Sequence, residues 1–265
     1  MGTAYTGKDT AARRRFQHDL PSPVPPHPVD ALLTEQRAHA FRQVLARRCR
    51  GIAVVIEECY DPHNATAAMR TCDIFGVHRV HCVASRTRFK VNRRVSQGAH
   101  KYLDLRFHAD ITEAYAQLRA DNYAIYATDL RADAVVGPQQ LRRQAAERPL
   151  ALVFGSEGFG ISDAARAGCD GAFLIPMAGF SQSLNLSVSV AVSLYALRGD
   201  ALAEDAPGDL SPQEQAFWYD QWVRQQHGPA AERLVADDAD YLPPPDPRAR
   251  IEHDRKGNEL ETFGP

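Results

Sequence analysis

Short apolar runs rich in β-branched residues recur along the chain at 51–57 (GIAVVIE), 79–84 (RVHCVA), 102–108 (YLDLRFH), 122–128 (NYAIYAT), 149–154 (PLALVF) and 171–176 (GAFLIP). Between them, segments 64–76, 111–121, 138–147 and 162–169 place their apolar residues at helical spacing. Strands that alternate with helices at this interval predict βαβ units, and hence a mostly parallel sheet with helices on both faces. The expected fold class is α/β, a doubly wound domain.

The flanking patterns differ. Over 31–49, Leu32, Leu33, Ala38, Phe41, Val44 and Leu45 share one side, while Arg37, Arg42, Arg47 and Arg48 lie elsewhere, which predicts an amphipathic helix with a basic face. Residues 211–226 open with an N-cap serine, a proline and Glu214 at the capping-box position, then present Phe217, Trp218, Trp222 and Val223 to cover another element. Residues 1–30 combine Lys8 and Arg13 to Arg15 with five prolines and too few apolar residues for a core, so a flexible arm is expected. Beyond 227 the chain turns acidic and proline-rich, with PPPDP at 243–247, and reads as a tail over 227–265. The division expected is therefore an arm (1–30), a main domain (31–200), a helix packed on it (201–226) and the tail.

One segment resists local reading. Leu184, Leu186, Val188, Val190, Val192 and Leu194 alternate with small polar residues, a period of two that favours a strand. Its length, the absence of a turn signal before Arg198 and a surface of small residues (Ser187, Ser189, Ala191, Ser193, Ala196) favour a closely packed helix instead, and a helix is expected. Directly before it stands a polar cluster, Ser181, Gln182, Ser183 and Asn185.

Composition narrows the picture. A chain of 265 residues suits one α/β domain with appendages. No apolar run is expected to reach the roughly 18 residues of a membrane span, and no signal-peptide core is evident, so a cytoplasmic location is expected. Cys49, Cys59, Cys72, Cys82 and Cys169 are scattered and odd in number, as reduced thiols would be. Neither HExxH nor a Cys/His cluster is present, and no metal is expected. The formal net charge of −2 hides an asymmetry, because residues 201–265 carry 14 acids and 6 bases. Residues 85–101 hold Arg86, Arg88, Lys90, Arg93, Arg94 and Lys101 without a carboxylate. Such a run is either a solvated surface or a loop that contacts phosphates.

Three segments carry candidate chemistry. In DPHNATAAMRTCDIFGV (61–77), Asn64 is a good N-cap, and Arg70 sits among Ala67, Ala68, Met69, Ile74 and Phe75. A salt bridge and a functional role explain that arginine equally well. In ALVFGSEGFGIS (151–162), a buried strand runs into a turn with Gly155, Gly158 and Gly160, at the strand end where open α/β sheets bind ligands. The spacing is neither a P-loop nor GxGxxG, and Glu157 sits at the loop apex. In IPMAGFSQSLNLSVSV (175–190), a strand ends at Pro176 and the chain loops through Gly179, with Ser183 and Asn185 free to cap the helix and to meet an adenosine or ribose.

NATAAMRTCDIFG, LVFGSEGFGIS and IPMAGFSQSLNLSVSVA, in this order, resemble the three signature motifs of the SpoU class of SPOUT RNA 2′-O-methyltransferases. The lead-in HAFRQVLARRCRGIAVVIEECYDPHNATAAMRTCD and the segment after Gly98 are similar to the tRNA guanosine branch of that class, and the likeness spans about residues 34–200. The resemblance implies a parallel-sheet domain closed by a trefoil knot, a homodimer packed across it, S-adenosylmethionine as cofactor and RNA as partner, with tRNA favoured and rRNA possible. By motif position it implies that Asn64, Arg70, Glu157, Ser183 and Asn185 belong to the catalytic centre. Thr128, Gly155, Ile175, Met177 and Leu184 would hold the cofactor and His63, just before Asn64, would meet the RNA substrate. The basic helix with Arg42 and Arg47 and the basic run with Arg93, Arg94 and Lys101 are the further residues expected to meet RNA. The family's usual scheme makes Arg70 a base. An electrostatic role suits a guanidinium better, because it keeps its proton below a pH of about 12.

The sequence departs from the tRNA branch after the last helix, where Arg198 alone precedes Gly199, Asp200 and an acidic stretch. A nucleotide-dependent oxidoreductase would need GxGxxG in the first βα turn, which is absent. An inactive RNA-binding paralogue is the other rival, and retention of Asn64, Arg70, Glu157 and Asn185 argues against it.

Overall fold

The structure is a computed structural model that describes residues 18–59, 61–84, 98–131, 133–144, 148–156, 158–248, 251–253 and 259–261. Seven strands, β1 (Cys49–Glu57), β2 (Val77–Val83), β3 (Asp104–His108), β4 (Ala124–Thr128), β5 (Val135–Val136), β6 (Leu150–Phe154) and β7 (Gly171–Leu174), form one sheet in the order β3-β2-β1-β6-β4-β7-β5. Every pairing in it is parallel.

Parallel strands require crossovers, and the helices that make them cover both faces. Ile52, Val54 and Ile56 of β1 point to one face, where they join Met69 and Cys72 of α2 (Pro62–Ile74). Leu186, Val190, Leu194 and Leu197 of the long helix Leu186–Ala203 complete that layer. Ala53 and Val55 point to the opposite face, against Ala114, Tyr115 and Leu118 of the helix Ile111–Ala120 and Ala165 of the helix Asp163–Gly168. Both faces are dry, which is why the strands read as continuous apolar runs rather than alternating ones.

The period-two segment is a helix, as expected, and it begins at Leu186. At 18 residues and a mean hydropathy of 1.3 it is long and apolar enough to cross a membrane, contrary to the expectation that no run would be. One side packs into the core, whereas Val188, Val192 and Tyr195 on the other are exposed. Strand β5 was not anticipated, since two residues carry no periodicity. The helix expected over 31–49 covers only Glu35–Leu45, because Cys49 has already entered β1.

The described parts of the two extensions also carry defined contacts that their composition does not suggest. Val24 and Val29 of the expected arm pack with Phe41, Phe217 and Trp222, and residues 28–32 form a 3₁₀ turn. The expected tail contains the helix Pro229–Asp237. Asp220, on the helix Pro212–His227, ties both ends together: its Oδ1 lies 3.0 Å from His27 Nε2 and accepts from Tyr241 Oη at 2.6 Å and from Arg224 Nε at 2.6 Å. The polar sequence hid these contacts because they are hydrogen bonds between residues up to 193 positions apart.

Three buried histidines mark the outer strands. His78 is enclosed against Trp218, and burial pushes its pKa down to about 3. His81 and His108 stack with Nδ1 and Nε2 2.8 Å apart, and burial lowers both. These imidazoles are neutral when folded but titrate near 6.5 when exposed, so the unfolded chain binds more protons below that value. Stability is therefore expected to hold above about pH 6.5 and to fall as pH drops from there toward 3. Urea midpoints measured at pH 7.5 and pH 5 should show the loss at pH 5, and His78→Phe should reduce the difference.

Candidate functional site

At the carboxyl edge of the sheet the ends of β4, β6 and β7 open into a cavity of about 530 Å³. This is where parallel α/β sheets receive ligands, and the volume falls within the roughly 300–1,000 Å³ usual for small-molecule sites. Thr128, Gly155, Ile175, Met177, Ser183 and Leu184, six residues singled out in the sequence, all line it. The rest of its wall is mixed, with Phe154, Ile161, Phe173 and Leu186 on the apolar side and Asp129, Ser156, Gln182 and Ser189 among the polar groups.

Gly155 makes this shape possible. A β-carbon there would lie 2.1 Å from the carbonyl of Gly160 and 2.3 Å from the amide nitrogen of Ile161. The loop folds back that closely because Ser156 and Gly160 exchange backbone hydrogen bonds of 3.0 and 2.8 Å, with Gly160 in the left-handed region at φ +67. The far end of the loop is fixed by Glu57, whose buried carboxylate closes β1 and accepts from the Ser162 amide at 2.9 Å and the Ser162 hydroxyl at 2.6 Å. Sequence reasoning missed Glu57, although an acid ending an otherwise apolar strand was the available signal.

The third motif meets the first here. Asn185 caps the helix Leu186–Ala203, its Oδ1 accepting from the Ser187 amide at 2.9 Å, and its Nδ2 donates to Asn64 Oδ1 at 3.0 Å. Asn64 itself is not an N-cap; Asp61 holds that position and Asn64 lies in the first turn of α2, beside the exposed His63.

Arg70 does not line the same cavity. It lies on the exposed side of α2, has no ion pair or hydrogen bond among the described residues, and lines a separate cleft of about 280 Å³ with Arg37, Phe41 and Trp222. An exposed arginine needs no buried partner, so an internal salt bridge does not explain its presence. Glu157, Arg93 and Arg94 lie outside the described residues.

Two arginines expected to meet RNA are spent inside the protein. Arg47 is buried and forms a two-point ion pair with Asp205, at 2.6 and 2.8 Å, and also donates to Gln43 and the His18 carbonyl. Arg42 donates to Asp30 at 2.6 Å and to the Tyr219 hydroxyl at 2.8 Å while stacking over that ring. Removing such charges from water is costly unless they are paired, and those partners leave little of either group for a phosphate. Arg198 is likewise buried, donating to the carbonyls of Phe75 and Arg47. Lys101 remains exposed on the 3₁₀ turn Ala99–Tyr102.

The model of the SpoU rRNA Methylase family matches residues 51–195, more than half of the chain, including all of the sheet but the first two residues of β1 and all of the cavity lining. The chain belongs to this family. Among SpoU relatives, a Thermus thermophilus protein named tRNA (guanosine(18)-2′-O)-methyltransferase is 40% identical over 162 residues, which is 61% of this chain and 81% of that one. An Escherichia coli K12 protein of the same name is 36% identical over 58% of this chain and 65% of its own length. The solved SpoU structure titled a TrmH/SpoU tRNA modifying enzyme from A. aeolicus superposes with a TM-score of 0.65 at 26% identity, covering 72% of this chain and 97% of that one. The SpoU match ends at residue 195, so the helix Pro212–His227 lies outside the matched segment, although it packs on His78 and Tyr102 within it.

Two substitutions test this geometry. Gly155→Ala is expected to break the Ser156–Gly160 bridge, seen as faster hydrogen exchange at those two amides. Asn185→Ala removes a cap and should cost about 1 kcal/mol of stability in urea titrations.

Proposed function

We propose that this protein transfers a methyl group from S-adenosylmethionine to a ribose 2′-hydroxyl of tRNA, at guanosine 18, in the cytoplasm. The single observation that carries the reading is the convergence of the second and third motifs on one cavity at the sheet's carboxyl edge, with Asn64 of the first motif bonded to Asn185 at its border. The names of the relatives from Thermus and Escherichia support the choice of tRNA and of the nucleotide. Ribosomal RNA is the alternative substrate.

The lining fits the cofactor: apolar side chains can enclose an adenine, and backbone groups near Thr128, Gly155, Ile175 and Leu184 are placed to hydrogen-bond its edge and the sugar. When bound, S-adenosylmethionine supplies an electrophilic methyl on a sulfonium. The chain's own task is to hold the 2′-oxygen in line with it and to stabilise the negative charge that develops as the hydroxyl proton leaves. Asn64, Asn185 and Ser183 position the sugar in this account, and Arg70 stabilises the oxygen and clamps a neighbouring phosphate through its fork of donors.

Arg70 does not line the cavity of its own chain, and in this account a second copy supplies it. Ile74, one turn beyond Arg70 on α2, is exposed, and α2 packs on the adjoining helix, which exposes Val188, Val192 and Tyr195, with Phe75 against Tyr195. A two-fold dimer closed on this face, across a trefoil knot, would bury that stripe and bring each Arg70 toward the cavity of the other copy.

Labelled cofactor incubated with total RNA, followed by mass-spectrometric mapping, tests the reading. Label at guanosine 18 of tRNA is expected, and label confined to large rRNA would contradict the substrate. Arg70→Ala should lower the rate by about 10²-fold or more while leaving the melting temperature unchanged. Arg70→Lys should recover part of it only if a point charge suffices. Sedimentation should give a dimer, and Val192→Glu should dissociate it.

A further inference from the structure

Among the described residues lining the 530 Å³ cavity, one side chain is anionic and one cationic, and they are bonded to each other. Asp129 follows β4, and its Oδ2 accepts from Arg166 Nε at 2.8 Å; its Oδ1 accepts from the Leu130 amide at 2.9 Å. Arg166, on the helix Asp163–Gly168, donates Nη1 to Asp163 at 2.8 Å, and its Nη2 has no hydrogen bond among the described residues. Asp129 is mostly covered, with 16% of its side chain exposed, while Arg166 is 42% exposed. Arg166 also lines the neighbouring cavity beyond the glycine loop, so its guanidinium stands at the boundary between the two.

Taken as a fold contact the pair is weak, because a partly exposed ion pair contributes little to stability. Its placement is more informative. A partly exposed salt bridge in a cavity wall does little for the fold, whereas a salt-bridged acid and base side by side complement a ligand group that bears both signs. The amino-acid end of S-adenosylmethionine is such a group, with an α-carboxylate and an α-ammonium on one carbon.

We propose that Arg166 and Asp129 form the subsite for the cofactor's amino-acid end: Arg166 donates Nη2 to the α-carboxylate, and Asp129 holds Arg166 in place and accepts from the α-ammonium. The inference rests on the methyl-donor reading of the same cavity. It makes the pair an orientation device, since fixing the chain that bears the sulfonium fixes where the methyl points. The chain positions flanking the subsite, Thr128 at the end of β4 and Ile161 at the end of the loop, come from the two segments that shape the cavity. Arg166 lies outside the three signature segments, so no motif pointed to it.

Calorimetry with three nucleosides separates the parts. S-adenosylhomocysteine carries both charges, its decarboxylated amine carries only the ammonium, and 5′-methylthioadenosine carries neither. Arg166→Ala is expected to weaken S-adenosylhomocysteine by about tenfold or more, as the loss of a charge-assisted bond would, and to leave the other two within about twofold. Arg166→Lys should restore part of the loss. Asp129→Asn should weaken the amine more than methylthioadenosine. Equal weakening of all three ligands by Arg166→Ala would mean that the residue acts through the fold, and would overturn the proposal, as would unchanged binding of S-adenosylhomocysteine. If the parent protein binds methylthioadenosine but gains nothing from the amino-acid end, the subsite fails and the cofactor reading survives. If it binds none of the three, both fail.

Discussion

The site depends on one close approach. Where β6 ends, the backbone of Gly160 and Ile161 occupies the space that any side chain on Gly155 would need. That contact turns the glycine loop back over the sheet edge, makes Phe159 and Ile161 common walls of two cavities and hands Ser162 to the buried Glu57. A loop that instead ran outward would leave the ends of β4 and β7 facing water, with no enclosed volume to receive a ligand. The glycine matters here for its missing atom, whereas Gly160 matters for its left-handed backbone.

A second constraint concerns charge. The chain is rich in arginine, yet much of it is committed to acids far away in sequence. Arg47 pairs with Asp205, Arg48 with Asp73, and Arg79 with both Asp104 and Asp121. These pairs are expensive to desolvate and act as fixed connections: Arg47–Asp205 joins segments before and after the matched domain, Arg48–Asp73 ties the first of these to α2, and Arg79 joins β2 to β3 and to the end of the helix Ile111–Ala120. Basic side chains that stay exposed are therefore the informative ones for RNA. Arg70 and Lys101 belong to that group, whereas Arg42 and Arg47 do not.

Local pattern was enough for most of the sheet because each strand is a short apolar run bounded by turn residues, buried on both sides. The cavity-lining residues came instead from the family resemblance, by motif position, and in the structure they follow the ends of β4, β6 and β7. Pattern failed where the deciding partner is remote. The basic face read into residues 31–49 dissolved once Asp30, Asp205 and Tyr219 closed on it, and nothing near Arg42 or Arg47 announces those partners. The ends of the chain looked too polar to fold, but Asp220 gathers His27 and Tyr241 by hydrogen bonds that no hydrophobic period reveals. Arg70 shows a different limit: motif position placed it with Asn64 and Asn185, whereas the structure sets it on the exposed side of α2, lining a separate cleft.

The claim on which the account turns is that strands β4, β6 and β7 and the folded-back loop enclose a nucleoside-binding cavity. A crystal structure grown with S-adenosylhomocysteine tests it most directly. The account requires the adenosine to lie between Thr128, Gly155, Ile175 and Leu184 with the loop in its present course. A nucleoside bound elsewhere, or an empty cavity at saturating ligand, would contradict it.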